Sequence, residues 1–175
     1  FTIGIEDDAQ LMARNAQLAS EYPLLKIKLD DEQPIARLKA VRLARPDARL
    51  IVDANQAWDF DQLKSLMPDL LSLGIEMIEQ PLPRGKDSEL ETYDSPILLS
   101  ADESCVDRCD LPMLVKRYRM INIKLDKTGG LTEALLLAKQ AKRLGLKLMV
   151  GNMGGTSLSI APAMIVARLC ELVDL

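Results

Sequence analysis

A parallel (β/α) barrel is the fold that this sequence of 175 residues predicts, and three observations favour it. Short apolar runs rich in Ile, Val, Leu and Met alternate with amphipathic segments along the whole chain, as is typical of a parallel sheet with crossover helices. No Gly-x-Gly-x-x-Gly motif follows the first run, so an open dinucleotide-binding sheet is less favoured. The even spacing of the runs favours closure into a barrel.

The apolar runs predict seven strands and the beginning of an eighth, at 2–5, 24–29, 49–54, 75–80, 97–102, 120–125, 147–152 and 173–175. A helical segment lies between each strand and the next. The first helical segment opens with acidic residues, which suit a helix N-terminus. In the second, the apolar residues expected near one face are Ile35, Leu38, Val41 and Leu43, and the segment stops at Pro46.

The last two helical segments carry clear boundary signals. Residues 131–145 end on Gly145, a residue typical of a helix C-cap. Residues 156–172 form the most apolar of these segments, and we expect them to be the most buried helix, with Pro162 in its first turn.

Composition excludes several kinds of chemistry and partner. The net charge of −4 offers no basic surface for nucleic acid, and no apolar run is long enough to cross a bilayer. The absence of histidine excludes Ser-His-Asp and Cys-His catalysis and His-ligated zinc. The odd number of cysteines, Cys105, Cys109 and Cys170, indicates free thiols in a reducing compartment, so a cytoplasmic location is expected.

Polar residues interrupt the predicted strands near their C-terminal ends, where a barrel builds its active site. Side chains two positions apart on a strand share a face, so each such pair is expected to point the same way. Taken singly, each residue also fits an ordinary loop or helix-cap position. The residues are Lys26, Lys28, Asp53, Asn55, Glu79, Gln80, Asp102, Glu103, Lys124 and Asp126.

Three of these carboxylates predict a metal site. Asp53, Glu79 and Asp102 end three successive predicted strands. Clustered carboxylates repel one another unless protons or a cation neutralise them. Mg²⁺ is the hard cation that prefers such oxygen ligands, so we expect these three side chains to bind it.

The lysines predict proton transfer. A lysine titrates near about 10.4 in water, and a second positive charge beside it lowers that pKa towards the range that a general base needs. Lys28 has Lys26 two positions away, and Lys124 lies on a strand roughly opposite in an eight-stranded barrel. Such a pair would remove a proton from one face of a carbon and return one to the other.

Six segments together resemble the muconate-lactonizing-enzyme subgroup of the enolase superfamily, and most closely its dipeptide epimerases of the L-Ala-D/L-Glu type. They are "LKIKL", "VDANQAW", "IEQPLP", "ADESC", "NIKLDKTGGLTEAL" and "VGNMGGTSLSIAPA". The resemblance implies a (β/α)7β barrel whose N-terminal α+β capping domain is absent from residues 1–175. It implies that the barrel is also incomplete after its eighth strand.

Carried over by position, the resemblance implies Mg²⁺ ligands at Asp53, Glu79 and Asp102, and acid/base residues at Lys28 and Lys124 with Lys26 as an electrostatic neighbour. Substrate-contacting or supporting roles are expected of Asn55, Gln80, Glu103, Asp126 and Asp174. Asp174 would be the first member of an Asp-x-Asp motif that binds the substrate's amino group. The sequence departs from the family at Gly151-Asn152-Met153, where relatives often have Gly-Cys-Met.

The implied function is Mg²⁺-dependent epimerisation of a dipeptide, by 1,1-proton transfer through an enediolate. The substrate would be a dipeptide or an N-acyl amino acid, with no nucleic-acid or membrane partner, and a homo-oligomer is left open. N-acylamino acid racemase, o-succinylbenzoate synthase and muconate cycloisomerase share such a site. A phosphosugar enzyme using the glycine-rich segment 151–157 and a catalytically silent metal-binding barrel are further alternatives.

Overall fold

The structure is a computed structural model that describes all residues, Phe1–Leu175. Eight parallel strands follow one another in chain order, which confirms the predicted (β/α)-barrel class. They are β1 (Thr2–Ile3), β2 (Leu24–Lys28), β3 (Arg49–Asp53), β4 (Ile75–Glu79), β5 (Leu98–Ala101), β6 (Met120–Lys124), β7 (Lys147–Gly151) and β8 (Leu172–Asp174).

Eight α-helices lie between these strands, and no helix is both long enough and apolar enough to cross a membrane. They are α1 (Ala9–Leu18), α2 (Pro34–Ala44), α3 (Phe60–Ser72), α4 (Leu111–Arg117), α5 (Leu125–Thr128), α6 (Leu131–Arg143), α7 (Ser157–Ile160) and α8 (Ala163–Ala167).

The chain divides into two compact units. The first comprises Phe1–Asp87 and Ser95–Leu99, and the second Ser88–Asp94 and Ser100–Leu175. In the first unit β2 pairs with β3 over five residues, in a register that sets Lys28 beside Asp53.

Helices of the first unit begin and pack largely as the sequence predicts. The Asp8 carboxylate accepts a hydrogen bond from the backbone N–H of Gln10 at the start of α1, as expected for an acidic N-cap. In α2 the prediction for Leu43 is wrong, because this side chain is 84% exposed. Leu38 and Val41 are three residues apart and share the buried face, whereas Leu43 projects from the opposite side of the helix.

The last helical segment corrects a second prediction. Residues 156–172 contain two short helices, α7 and α8, with Pro162 at the N-cap of α8, because proline lacks the N–H that a continuous helix needs. Each helix has little more than one turn, so only the pair Ala163 and Val166 becomes buried. The larger apolar side chains stay exposed, with Leu158 at 84% and Met164 at 55%.

The connection between β4 and β5 also differs from the predicted alternation. It contains a 3₁₀ helix at Ser88–Thr92 and no α-helix. The segment from 80 to 97 contains three prolines and Gly85, and proline disrupts the interior of an α-helix. The general (β/α) pattern therefore holds, except that a 3₁₀ helix of five residues replaces one of its α-helices.

Candidate active site

The first unit brings five predicted residues together at the C-terminal ends of β2, β3 and β4. We call them the N-terminal cluster: Lys26, Lys28, Asp53, Asn55 and Glu79. The strand register aligns Asp53 with Glu79 on the neighbouring strand. The Nζ atoms of Lys26 and Lys28 lie 2.9 and 3.4 Å from the same oxygen, Oδ2 of Asp53. The expectation that these two lysines share a face is therefore confirmed.

Lys26 is the buried bridge of this cluster. Its Nζ lies 2.9 Å from Asp53 Oδ2 and 2.8 Å from Glu79 Oε2, and all three side chains are at most 6% exposed. Adjacent buried carboxylates repel one another strongly unless a positive charge compensates them. Lys26 supplies that charge in this structure.

Asn55 orients the more exposed lysine. The Asn55 side-chain oxygen accepts a hydrogen bond from Lys28 Nζ at 2.7 Å, and the Asn55 backbone N–H donates to Asp53 Oδ1 at 3.0 Å. To do so Asn55 adopts a left-handed backbone, with φ of 43°. Such conformations are uncommon outside glycine and concentrate at functional sites.

Gln80 supports the loops around the cluster. It is buried and left-handed, with φ of 34°, and its side chain donates to the carbonyl of Leu82 at 2.8 Å. Its own backbone carbonyl accepts from the backbone N–H of Gln56 at 2.8 Å, and the backbone N–H of Trp58 donates to the Pro81 carbonyl at 3.0 Å. These bonds tie the loop after β3 to the loop after β4.

The second unit builds a smaller group, which we call the C-terminal cluster: Asp102, Asn122, Lys124 and Lys127. Lys124 Nζ donates to Asp102 Oδ2 at 2.5 Å. Lys127 Nζ donates to Asp102 Oδ1 at 2.6 Å and to its backbone carbonyl at 2.5 Å. Both carboxylate oxygens of Asp102 therefore accept from an ammonium group.

The lysines keep Asp102 ionised. Burial acts to raise the pKa of the Asp102 carboxyl, but the charges of Lys127 and Lys124 and their hydrogen bonds outweigh it and hold that pKa below its ordinary value. Asp102 is thus an anion at neutral pH despite being only 2% exposed.

The remaining predicted residues have different surroundings. Asp126 lies in α5 and not on β6, which ends at Lys124. The prediction that the side chains of Lys124 and Asp126 share one face of a strand is therefore wrong. A carboxylate oxygen of Asp126 instead accepts from the backbone N–H of Met153 at 3.3 Å. Glu103 is half-buried, and Asp174 is the last residue of β8, in register with Gly151.

Metal binding by the three predicted ligands stays a prediction. The structure contains no group of three or more His, Cys, Asp or Glu side chains arranged to hold a metal ion. Asp53, Glu79 and Asp102 each lie within 3 Å of a lysine Nζ. They are buried carboxylates at strand ends, and their donor chemistry fits Mg²⁺, which prefers oxygen ligands.

The three cysteines are free thiols, as predicted. Burial raises the pKa of Cys105 to about 12, so that it is protonated at neutral pH. Cys109, in contrast, is exposed.

Sequence reasoning missed Lys127. It lies outside the strands, so the period-two pattern that selected the other residues did not reach it. Its signal is the spacing Lys124-x-x-Lys127 at the end of β6, because one turn of α5 lies between the two lysines. Residues three apart on such a turn lie close together.

The family model for the enolase C-terminal domain-like family matches residues 9–172. The chain belongs to this family. Among curated proteins, it is 49% identical over 169 residues to an N-acetyl-D-glutamate racemase from Pseudoalteromonas, which covers 97% of the chain and 54% of that protein. It is 50% identical over 141 residues to the L-Ala-D/L-Glu epimerase of Escherichia coli, covering 81% of the chain and 44% of that enzyme.

Solved structures of enolase-superfamily epimerases share the fold over the whole chain. An L-Ala-D/L-Glu epimerase superposes with a TM-score of 0.94 at 44% identity, covering 100% of the chain and 55% of that structure. A dipeptide epimerase from Enterococcus faecalis, solved with Mg and L-Leu-L-Tyr, has a TM-score of 0.92 at 34% identity, covering 99% and 53%. The chain thus spans about half the length of the relatives it matches.

Proposed function

We propose that the protein carrying this chain is an isomerase that inverts the α-carbon of an N-acylated amino acid by 1,1-proton transfer. The proposal rests on an arrangement that occurs twice, in which a lysine at the end of a strand lies beside a buried aspartate. Lys28 ends β2 beside Asp53 of β3, and Lys124 ends β6 beside Asp102, which follows β5. The relatives named above, which are racemases and epimerases, support it and favour it over the phosphosugar alternative.

The substrate class we propose is an N-acylated glutamate. One relative is named for N-acetyl-D-glutamate and the other for L-Ala-D/L-Glu, in which alanine acylates the glutamate nitrogen. These substrates share an α-proton, an α-carboxylate and an amide on the α-nitrogen. L-Ala-L-Glu is the first candidate, as a dipeptide. N-acetyl-glutamate is the second, favoured by the match that covers 97% of the chain.

Lys28 and Lys124 are the proposed acid/base residues. Lys28 has the accessibility that proton transfer requires, since its side chain is 38% exposed, and Asn55 and Asp53 hold its ammonium group in place. Lys124 is 12% exposed and is held by Asp102. One lysine would remove the α-proton and the other would protonate the opposite face, which inverts the centre.

Asp53, Glu79 and Asp102 are the proposed Mg²⁺ ligands, and their burial and oxygen donors suit that ion. When bound, Mg²⁺ supplies positive charge to the substrate carboxylate as the α-proton leaves. A structural neighbour solved with Mg and a dipeptide supports this assignment. Lys26 would compensate the charge of Asp53 and Glu79 and keep the two carboxylates together.

The test uses the full-length protein with Mg²⁺ in D₂O. L-Ala-L-Glu and N-acetyl-L-glutamate are incubated separately, and chiral chromatography follows the appearance of the second stereoisomer while NMR follows loss of the α-proton signal. We expect inversion of at least one substrate with deuterium incorporated at the α-carbon. Inversion without deuterium incorporation, or no reaction with either compound, would contradict the proposal.

A further inference from the structure

All three hydrogens of the Lys127 ammonium group are donated in hydrogen bonds. Its Nζ donates to the Asp102 carbonyl at 2.5 Å, to Asp102 Oδ1 at 2.6 Å and to the Asn122 carbonyl at 3.0 Å. A lysine ammonium has three donors and no acceptor. These three acceptors use all of them, and the side chain is only 7% exposed.

This saturation excludes Lys127 from proton transfer and from binding substrate directly. A group that moves protons must exchange one of its hydrogens with a reactant. The ammonium of Lys127 instead donates to two atoms of Asp102, its backbone carbonyl oxygen and its carboxylate oxygen Oδ1. Holding both atoms restricts rotation of the Asp102 side chain.

We propose that Lys127 is a positioning residue that fixes the orientation of the Asp102 carboxylate, with Oδ1 held by Lys127 and Oδ2 presented to Lys124. The backbone supports this assignment. Lys127 lies in α5, the single turn that follows β6, and Gly129 caps the C-terminus of α5 with a left-handed φ of 76°. That turn brings Lys127 back against Asn122 within β6.

The consequence for cation binding rests on the proposed function, in which Asp102 is a Mg²⁺ ligand. Ligating carboxylates depend on hydrogen-bonding partners that orient them, and removing such partners typically weakens metal affinity by about 10- to 100-fold. Charge alone predicts the opposite sign, because deleting a nearby positive charge should tighten cation binding. The direction of the change therefore distinguishes positioning from simple electrostatics.

The experiment measures Mg²⁺ affinity of the full-length protein by isothermal titration calorimetry, with thermal unfolding in chelator as a check of the fold. Lys127→Met removes the donors at similar length, and Lys127→Arg is the conservative variant. Lys139→Met is the matched control, since Lys139 is an exposed lysine of α6 in the same unit. If Lys127→Met does not fold, Lys127→Gln takes its place.

We expect Lys127→Met to weaken Mg²⁺ binding by about 10- to 100-fold, Lys127→Arg to recover most of that loss, and Lys139→Met to leave affinity unchanged. Unchanged or tighter Mg²⁺ binding in Lys127→Met would overturn the proposal.

A second measurement separates this proposal from the proposed metal site. If the wild-type protein binds no Mg²⁺, the metal assignment fails, and a crystal structure of the full-length Lys127→Met variant then decides the role of Lys127. A rotated Asp102 carboxylate supports positioning. A carboxylate in its original orientation overturns it.

Discussion

The two clusters use the same residue types in different proportions. The N-terminal cluster sets two lysines against two carboxylates, so its charges balance. The C-terminal cluster sets two lysines against the single carboxylate of Asp102, which leaves one positive charge in excess. The N-terminal cluster is built from neighbouring strands, whereas the C-terminal cluster recruits Lys127 from a helical turn.

Despite this difference, the lysines of the two clusters take the same two roles. Each cluster contains one deeply buried lysine with several acceptors, and these are Lys26 at 6% and Lys127 at 7% side-chain exposure. Each also contains a more exposed lysine at the very end of a strand, Lys28 at 38% and Lys124 at 12%. The buried lysines compensate charge and hold carboxylates in place, which leaves the strand-end lysines for the proposed chemistry.

The largest expected effect comes from removing the strand-end lysines. Lys28→Ala and Lys124→Ala should each reduce epimerisation by about 10²- to 10⁴-fold, the usual contribution of a general acid or base. Each variant should still exchange the α-proton of one stereoisomer with D₂O through the surviving lysine. The measurement is NMR of deuterium exchange with L-Ala-L-Glu and L-Ala-D-Glu in the full-length protein.

Opposite stereochemical preferences of the two variants would support one lysine per face. If Lys124→Ala epimerises at the wild-type rate, the C-terminal cluster takes no part in proton transfer. The chemistry would then need only Lys28, as in a one-base reaction.

The next largest effect concerns Lys26 and is on stability. Lys26→Met leaves Asp53 and Glu79 buried without their bridging ammonium, and breaking a buried ion pair in this way costs about 3–5 kcal/mol. In chelator, we expect the free energy of unfolding of Lys26→Met, measured by urea denaturation, to be lower than that of the wild type by about 3–5 kcal/mol. Addition of Mg²⁺ should recover part of this loss.

Lys39→Met is the matched control in the same unit, since the Lys39–Asp69 pair is exposed and 3.6 Å long. An exposed pair of this kind contributes about 0–1 kcal/mol. Equal losses in Lys26→Met and Lys39→Met would show that the bridge is energetically unimportant.

The smallest expected effect is the pH dependence of stability that Asp102 gives to the C-terminal cluster. The pKa of Asp102 is lowered in the folded protein, so its ion pairs stabilise the fold above the unfolded-state pKa of about 3.9. That stabilisation is lost as the pH falls through the folded-state pKa. In chelator, lowering the pH from about 6 to about 3 should therefore destabilise the wild-type protein more than Asp102→Asn.

Urea denaturation at both pH values measures this difference. An identical pH dependence in the wild type and in Asp102→Asn would mean that the two lysines do not lower the carboxyl pKa. The excess positive charge of the C-terminal cluster would then have no energetic role.

The strands and most of the N-terminal cluster could be predicted because they follow one rule, the two-residue period of a strand. That rule predicted that Lys26 and Lys28 share a face, and both lysines reach Asp53. The same rule failed at Asp126, because β6 ends at Lys124 and a helical turn begins there. Lys127 was missed for the same reason.

Helix burial was harder to predict from apolar content. Residues 156–172 are rich in apolar side chains, yet Leu158 is 84% exposed because the segment divides at Pro162 into helices of four and five residues. The left-handed backbone of Asn55 was also beyond the sequence pattern. It depends on hydrogen bonds to Asp53 and Lys28 that only the assembled strands provide.

The bridge made by Lys26 has a consequence for how the protein matures. Because an ammonium group already lies between Asp53 and Glu79, the first unit can fold without waiting for a cation to neutralise its buried acids. Lys26 is thus an internal counter-ion for the two buried carboxylates, and the proposed Mg²⁺ ion would bind to a unit that has already folded.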